Sequence, residues 1–263
     1  NAALNAQGNT TIYRNVLLGG FLANCLLNPW FMYGWTGLPA MGVGGIALAT
    51  VVVQLLGCVV MMAVILRMEL GKGLRGSDFR PQWPVLRQIL AQAIPAALNM
   101  MTVALGIFVI TRYVSQFSKE AVAAYGIATR IEQVVLLPTI GLNFAILSLT
   151  GQNRGAGQMA RVAEAWRTCL KYGVGLMLGS GVLVSLVRSY AMGWFTQDDE
   201  VIARGRDYLG GAALTLCAYP ILFVTVFMLQ GLKKPAFGLW RGLYRQILAP
   251  VVVFHLLAFT LGW

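Results

Sequence analysis

Seven runs of apolar residues in this chain are each long enough to cross a lipid bilayer, which leaves few folds open to it. A membrane-spanning helix needs about 20 mainly apolar residues, and a single apolar strand cannot satisfy its backbone hydrogen bonds in lipid. The runs lie at residues 11–31, 43–66, 88–111, 121–148, 169–190, 208–231 and 244–262. The sequence therefore predicts an all-α fold, a polytopic membrane helix bundle with about seven transmembrane helices.

The composition supports a membrane environment over a soluble one. Of 263 residues, 58% are hydrophobic and only 11% are charged, with a mean hydropathy of +0.70. Soluble domains are about 45–50% apolar and about 25% charged. The net charge of +11 comes from basic residues in short gaps between apolar runs, with no basic stripe interleaved with aromatic residues. This pattern favours lipid head groups as neighbours and argues against nucleic acid.

The charges between the apolar runs alternate in a way that predicts the orientation. Three gaps, 67–87, 152–171 and 232–245, carry an excess of Lys and Arg, whereas the gaps between them carry little net charge or an excess of acid. Cytoplasmic loops are the basic ones. We therefore expect a multi-pass protein of the inner (plasma) membrane, with Asn1 on the cytoplasmic side and Trp263 on the other side.

Enzymes and metal sites have little support in the sequence. An intramembrane protease needs a Ser/His or Asp pair at membrane depth, and the apolar runs hold no pair of acids. The four cysteines are widely spaced and form no Cys-x-x-Cys or Cys/His cluster, so neither a disulfide framework nor a metal centre is indicated. They are Cys25, Cys58, Cys169 and Cys217. We expect a protein that is not an enzyme and has no metal or cofactor.

Small residues and prolines within the runs predict how the helices pack and bend. Gly175 and Gly179 form a GxxxG pattern, which favours a close helix–helix contact. Prolines lack an N–H and clash with the carbonyl four residues earlier, so they predict kinks. The prolines inside the runs are Pro95, Pro138, Pro220 and Pro250.

Glu132 is the main candidate for a functional side chain. It lies eleven residues into the run 121–148, about 16 Å along a helix and near the middle of a core about 30 Å thick. Arg130 lies two residues away, on nearly the opposite helix face, so the two should not pair directly. Ionisable residues at this depth suggest function by default. Four further polar or aromatic residues are candidates for lining the same space: Asn99, Gln133, Asn143 and Tyr125.

Two roles for Glu132 remain open on the sequence alone. It either lines a cavity, where it attracts a cationic substrate or takes up a proton, or it anchors helices through hydrogen bonds. For Arg130 a structural role is favoured, because an arginine in the path would repel cationic compounds.

Two blocks of sequence resemble a known transporter family. NAALNAQGNT (1–10) together with NCLLNPWFMYGWTGLPAMGVGGIALAT (24–50) is similar to the fifth and sixth helices of the multidrug and toxic compound extrusion (MATE) family. The segment 123–157, which ends in GQNRGAG, resembles that family's eighth helix and its GQNxGAG signature. The resemblance covers essentially the whole chain, which begins without Met and ends directly after an apolar run. We therefore expect a fragment.

The resemblance implies twelve helices in two lobes, a central drug cavity, and alternating access driven by H⁺ or Na⁺. On that map residues 1–66 are the last two helices of the N-terminal lobe, 67–87 are a cytoplasmic linker between lobes, and 88–263 are the first five helices of the C-terminal lobe. The expected partners are small-molecule drugs, organic cations and the lipid bilayer, and the complete protein is expected to be a monomer.

The sequence also departs from the family in one place that matters for coupling. Some branches carry a carboxylate on the seventh helix and another on the tenth. Here the corresponding stretches, 94–108 and 210–231, contain no acid, and Asn99 is the one strongly polar side chain of the first. The Na⁺ site of those branches is therefore not expected here.

The predicted function is secondary active multidrug efflux, an H⁺- or Na⁺-coupled antiport of organic cations and drugs by alternating access. The alternative is a flippase for lipid-linked oligosaccharides of similar architecture. Its cavity would need several cations for phosphates, and the predicted spans offer only Arg130. A passive membrane scaffold is a third possibility, in which Glu132 would be dispensable.

Overall fold

The computed structural model describes residue 4 and residues 11–34, 39–68 and 82–260. Within these residues every regular element is helical, and the predicted all-α membrane helix bundle is confirmed. The helices are α1 (Thr11–Tyr33), α2 (Val43–Arg67), α3 (Trp83–Val114), α4 (Lys119–Gly155), α5 (Met159–Gly193), α6 (Asp199–Thr215), α7 (Ala218–Gly231), α8 (Ala236–Leu243) and α9 (Ala249–Thr260), with a π-helical turn at Tyr244–Leu248 between the last two.

The chain divides into two compact units, residues 1–82 and 83–263. In the first unit α1 packs against α2. Gly45 makes this contact possible, because a Cβ there would lie 2.5 Å from the carbonyl oxygen of Phe31. Most of the predicted linker 67–87 lies outside the described residues. Its last five residues are helical, since α3 begins at Trp83.

In the described part of the chain five helices, α1 to α5, are long and apolar enough to cross a membrane, and a sixth span results if α6 and α7 are counted together. The predicted number was about seven, and the difference lies in the last two runs. The predicted span 208–231 is divided into α6 and α7, which meet at an angle of 54°. This break comes just before Pro220, which cannot supply the N–H that would continue the helix.

The predicted span 244–262 has a different start and an irregular middle. Its helix begins at Ala236, eight residues earlier, and changes to a π-helical turn at Tyr244–Leu248 before continuing as α9. Pro250 follows that turn, and its ring excludes the carbonyl of Gln246 from regular α geometry. Neither α8 nor α9 alone has the length of a span.

The core of the second unit lies among α4, α5, α6 and α7. Its fully buried side chains include Met177, Met192, Leu209 and Leu216. These residues come from α5, α6 and the turn after α6, so their burial holds the bent pair α6–α7 against α5.

The close contacts of α5 use other glycines than those predicted. A Cβ at Gly173 would lie 2.8 Å from Cβ of Pro220, and one at Gly181 would lie 2.7 Å from the carbonyl oxygen of Ala213. Gly175 and Gly179 have no atom of the described residues within 4 Å of such a Cβ. The GxxxG prediction was therefore wrong for the described part of the chain, because it selected a helix face turned away from α6 and α7.

Candidate functional site

Glu132 lies in the middle of α4, where side chains of two other helices reach it. The helix begins after Ser118, whose hydroxyl accepts a hydrogen bond from the Ala121 N–H. The half-buried carboxylate of Glu132 accepts a hydrogen bond of 2.6 Å from the Tyr219 hydroxyl of α7 and one of 3.1 Å from the Tyr208 hydroxyl of α6. Hydrogen bonds to an ionised acceptor are stronger than neutral ones. The Glu132 side chain therefore links α4 to both α6 and α7, the two helices that meet at the bend.

The two tyrosines are themselves held by aromatic neighbours. Tyr208 meets the ring of Tyr125 edge-on, with centroids 5.5 Å apart and an angle of 88°. Tyr219 stacks on Phe223, one turn further along α7, with centroids 5.9 Å apart. Offset stacks and edge-to-face pairs are the favoured geometries of aromatic rings. The hydroxyl groups that face Glu132 are thus held in place.

Two arginines from α8 and the π-helical turn lie against the same aromatic residues. The guanidinium carbon of Arg245 is 5.0 Å from the ring centroid of Tyr219, and that of Arg241 is 5.9 Å from the ring centroid of Phe223. Both distances fall within the range of cation–π contacts. The Nε and Nη1 atoms of Arg241 are buried and have no hydrogen-bond partner among the described residues.

We call this group of residues the Glu132 cluster. It consists of Glu132, Tyr125, Tyr208, Tyr219, Phe223, Arg241 and Arg245. The cluster holds one acid and two arginines, and its polar groups can accept a proton, bind a cation at the carboxylate, or bind an anion at the guanidinium groups. In the described part of the chain no three His, Cys, Asp or Glu residues lie close enough to hold a metal ion.

The structure brings only some of the predicted candidates together. Tyr125 reaches Glu132 through Tyr208. Arg130 and Gln133 are exposed on other faces of α4 and take no part in the cluster. Asn99 lies where α3 meets α8, and a Cβ at Gly242 would be 2.5 Å from its Oδ1 atom.

Asn143 is on the same face of α4 as Glu132 but at a different depth. Eleven residues separate the two, which is about 16 Å along the helix and about 20° around it. Its side chain is buried, with 4% of its surface exposed, and its Oδ1 atom has no partner among the described residues. Thr139 and Thr150 are buried on the same face, so α4 presents a polar stripe to α7 in which Glu132 is the charged member.

Arg241 and Arg245 are the residues that the sequence analysis missed. Both lie in the predicted basic gap at 232–245, and Arg130 was the one arginine predicted at membrane depth. The structure places both within a continuous run of helix that begins at Ala236. One signal in the sequence could have indicated them. Tyr219 and Phe223 are four residues apart, as are Arg241 and Arg245, and this equal spacing allows Arg245 to contact the ring of Tyr219 while Arg241 contacts that of Phe223.

The first unit contains a groove of about 510 Å³ between α1 and α2. Its lining is almost entirely apolar and includes Val16, Gly20, Val53 and Val60, with Asn15 as its polar member. None of the predicted candidates lies in it.

A charged aromatic cluster between the helices of a multi-pass protein is typical of membrane transporters, since charges at such depth are expensive and are associated with ion or substrate pathways. The MatE family model matches residues 95–254, so this chain belongs to the MatE family. The resemblance noted in the sequence is thereby confirmed.

Individual relatives agree with this assignment. The chain is 29% identical to the probable multidrug resistance protein NorM of Pseudomonas aeruginosa, over 93% of this chain and 51% of that protein. It is 27% identical to the FAD transporter of Shewanella oneidensis, over 94% of this chain and 55% of that protein. The chain thus spans about half the length of the curated relatives it matches.

A solved structure supports the fold. An outward-facing multidrug resistance MATE family transporter of the MOP superfamily matches 95% of this chain and 55% of its own length, with a TM-score of 0.86 and 20% identity. At that identity the likeness concerns the fold alone.

Proposed function

We propose that the full-length protein containing this chain is a secondary active exporter of drugs and organic cations in the inner membrane. Its transport is coupled to H⁺ or Na⁺ entry by alternating access, and Glu132 is the residue at which ion and substrate exclude each other. The observation that carries the proposal is the half-buried carboxylate of Glu132, placed mid-helix and held by Tyr208 and Tyr219. Family membership supports the same function.

The coupling follows from competition for one negative charge. A carboxylate that carries H⁺ or Na⁺ attracts a cationic compound less than a free one does. Ion and substrate then favour different access states, and each lowers the affinity for the other by the same factor. In the described residues the carboxylate has no basic partner within salt-bridge distance, so its charge is available to a ligand.

Energised efflux from a pump-deficient bacterium tests the proposal. Wild type, Glu132→Gln and Glu164→Gln, each in the full-length protein and at matched levels, are compared for export of a fluorescent organic cation. Glu164 is exposed on α5 outside the cluster and serves as the matched control. We expect wild type and Glu164→Gln to export the dye and Glu132→Gln to lose at least about tenfold, roughly the effect of one charged hydrogen-bond site.

The outcomes separate the parts of the proposal. Export by Glu132→Gln at the wild-type rate would assign Glu132 to helix anchoring, with coupling located elsewhere. No energised export by wild type would refute the transport function. Collapsing the pH gradient or the Na⁺ gradient separately then identifies the coupling ion.

A further inference from the structure

Arg241 and Arg245 have no acidic partner among the described residues. The ion pairs found there are Arg204–Glu200 and Arg206–Asp207, both on the exposed surface of α6. The arginines of the cluster instead lie against the rings of Tyr219 and Phe223. Arg245 also forms a side-chain hydrogen bond with Tyr219, whereas Nε and Nη1 of Arg241 have no partner among the described residues. One acid and two arginines leave the cluster with an excess of positive charge.

Ring contacts do not satisfy the N–H groups of a guanidinium. Each guanidinium has five donors in a planar fork, and a ring face accepts none of them as a strong hydrogen bond. The Nε and Nη1 atoms of Arg241 are buried and unpartnered, although buried donors are nearly always hydrogen-bonded. The groups that fit two parallel N–H donors are carboxylate and phosphate.

The guanidinium groups that lack an oxyanion partner lie next to the proposed transport site. The Tyr219 hydroxyl donates to Glu132, while its ring contacts Arg245. An anion at Arg245 would therefore lie one side chain away from the carboxylate, beside the apolar surfaces of Tyr219 and Phe223.

We infer that Arg241 and Arg245 form a subsite for an oxyanion, a carboxylate or phosphate, borne by an aromatic compound that the transporter carries. This inference rests on the proposed export function and adds a substrate class to it. Compounds with an acidic group are then carried in preference to their neutral counterparts. A lipid phosphate offers the same chemistry as a soluble one, so the test must separate the two sources.

Riboflavin and flavin mononucleotide are suitable probes, because they share one fluorescent ring system and differ by a phosphate. Uptake of each by vesicles that contain the full-length protein is measured in the direction of export, together with a cationic dye. The variants are Arg245→Gln, Arg245→Lys and, as the matched control, Arg204→Gln. Arg204 forms an exposed ion pair with Glu200 within α6. Vesicles are prepared from neutral phospholipid and, separately, with added phosphatidylglycerol.

The readout is the ratio of flavin mononucleotide to riboflavin transport, which does not depend on how much active protein each preparation contains. We expect wild type and Arg204→Gln to favour the phosphate by about tenfold, the effect of one charge-assisted hydrogen-bond pair. Arg245→Gln should lower this ratio toward one. Arg245→Lys keeps the charge but loses the planar pair of N–H donors, so its ratio should lie between those of wild type and Arg245→Gln.

Three results would overturn the inference. A wild-type ratio near one, with the dye exported, removes the anion subsite and leaves the proposed function intact. An Arg245→Gln defect that reaches all three compounds equally and appears only with phosphatidylglycerol assigns the arginines to a lipid head group. No transport of any compound by wild type refutes this inference and the proposed function together.

Discussion

The hydrogen bond between Tyr219 and Glu132 should contribute more to stability than that between Tyr208 and Glu132. The first is 2.6 Å long and its tyrosine is half-buried, whereas the second is 3.1 Å long and Tyr208 is 37% exposed. Hydrogen bonds to charged groups contribute about 1.5–3 kcal/mol, and interhelical hydrogen bonds in membrane proteins reach about 1.7 kcal/mol at most and average about 0.6. We therefore expect about 1.5 kcal/mol for Tyr219 and about 0.5 kcal/mol for Tyr208.

Two double-mutant cycles measure these values directly. Each combines Glu132→Ala with either Tyr219→Phe or Tyr208→Phe in the full-length protein, and each removes one hydroxyl without changing ring packing. The free energy of unfolding in detergent is obtained from chemical denaturation of the four proteins in each cycle. The cavity left by Glu132→Ala appears on both sides of a cycle and cancels in the coupling energy.

The order of the two coupling energies shows whether the Tyr219–Glu132 hydrogen bond is the stronger one. A coupling of Tyr219 with Glu132 that is no larger than that of Tyr208 would refute the geometric argument. Couplings near zero for both would mean that the carboxylate is solvated, and that the tyrosines do not hold it.

Two further predictions concern a helix contact and an interhelical hydrogen bond, and both can be checked by the midpoint of thermal unfolding. Gly242→Val should destabilise the protein by about 1–3 kcal/mol, because the added side chain would overlap the Oδ1 atom of Asn99. Gly179→Val should be close to neutral, because no atom of the described residues lies within 4 Å of a Cβ there. Equal effects would contradict the packing described for α3 and α8. Trp166→Phe should lower the free energy of unfolding by about 1 kcal/mol through loss of the 3.2 Å hydrogen bond to the Thr225 hydroxyl. Once Trp166 is replaced, adding Thr225→Val should cause no further loss of stability.

Hydropathy was sufficient to predict the fold class, because lipid permits only helices to span it in a chain of this kind. The helix boundaries were harder to predict, and the errors have identifiable causes. A run of apolar residues is insensitive to a break inside it, so 208–231 was predicted as one span although Pro220 divides it into α6 and α7. The start of the last helix was placed at 244 instead of Ala236 because Arg241 interrupts the apolar run.

The packing of α5 could not be read from a motif. The GxxxG pattern at Gly175 and Gly179 is a local spacing, and it does not specify which side of the helix has a neighbour. The face that contacts α6 and α7 carries Gly173 and Gly181 instead, eight residues apart. Choosing between the two faces requires the positions of the neighbouring helices.

The candidate site was predictable in its centre and not in its surroundings. Membrane depth alone selected Glu132, but its partners come from residues 76 and 87 positions further along the chain. Asn99 and Gln133 were chosen because polar side chains in apolar runs are unusual, yet one lies in a helix crossing and the other is exposed. Polarity identifies residues that need a partner, and only the tertiary arrangement determines which partner they find.

Arg245 shows how the assignment of one residue at a helix boundary changes a functional argument, since it lies in both the predicted basic gap 232–245 and the predicted span 244–262. Assigned to the gap, it is one of several lysines and arginines near lipid head groups, and the candidate site contains Glu132 without it. Within the helix, it lies on the ring whose hydroxyl holds that acid. Loss of the negative charge at Glu132 would weaken the hydrogen bond from Tyr219 and thereby loosen the ring on which Arg245 rests. Under the proposed mechanism, occupation of the carboxylate by an ion and occupation of the arginines by an oxyanion are linked through this one tyrosine. A compound that carries both a positive and a negative charge would therefore contact both Glu132 and the arginines.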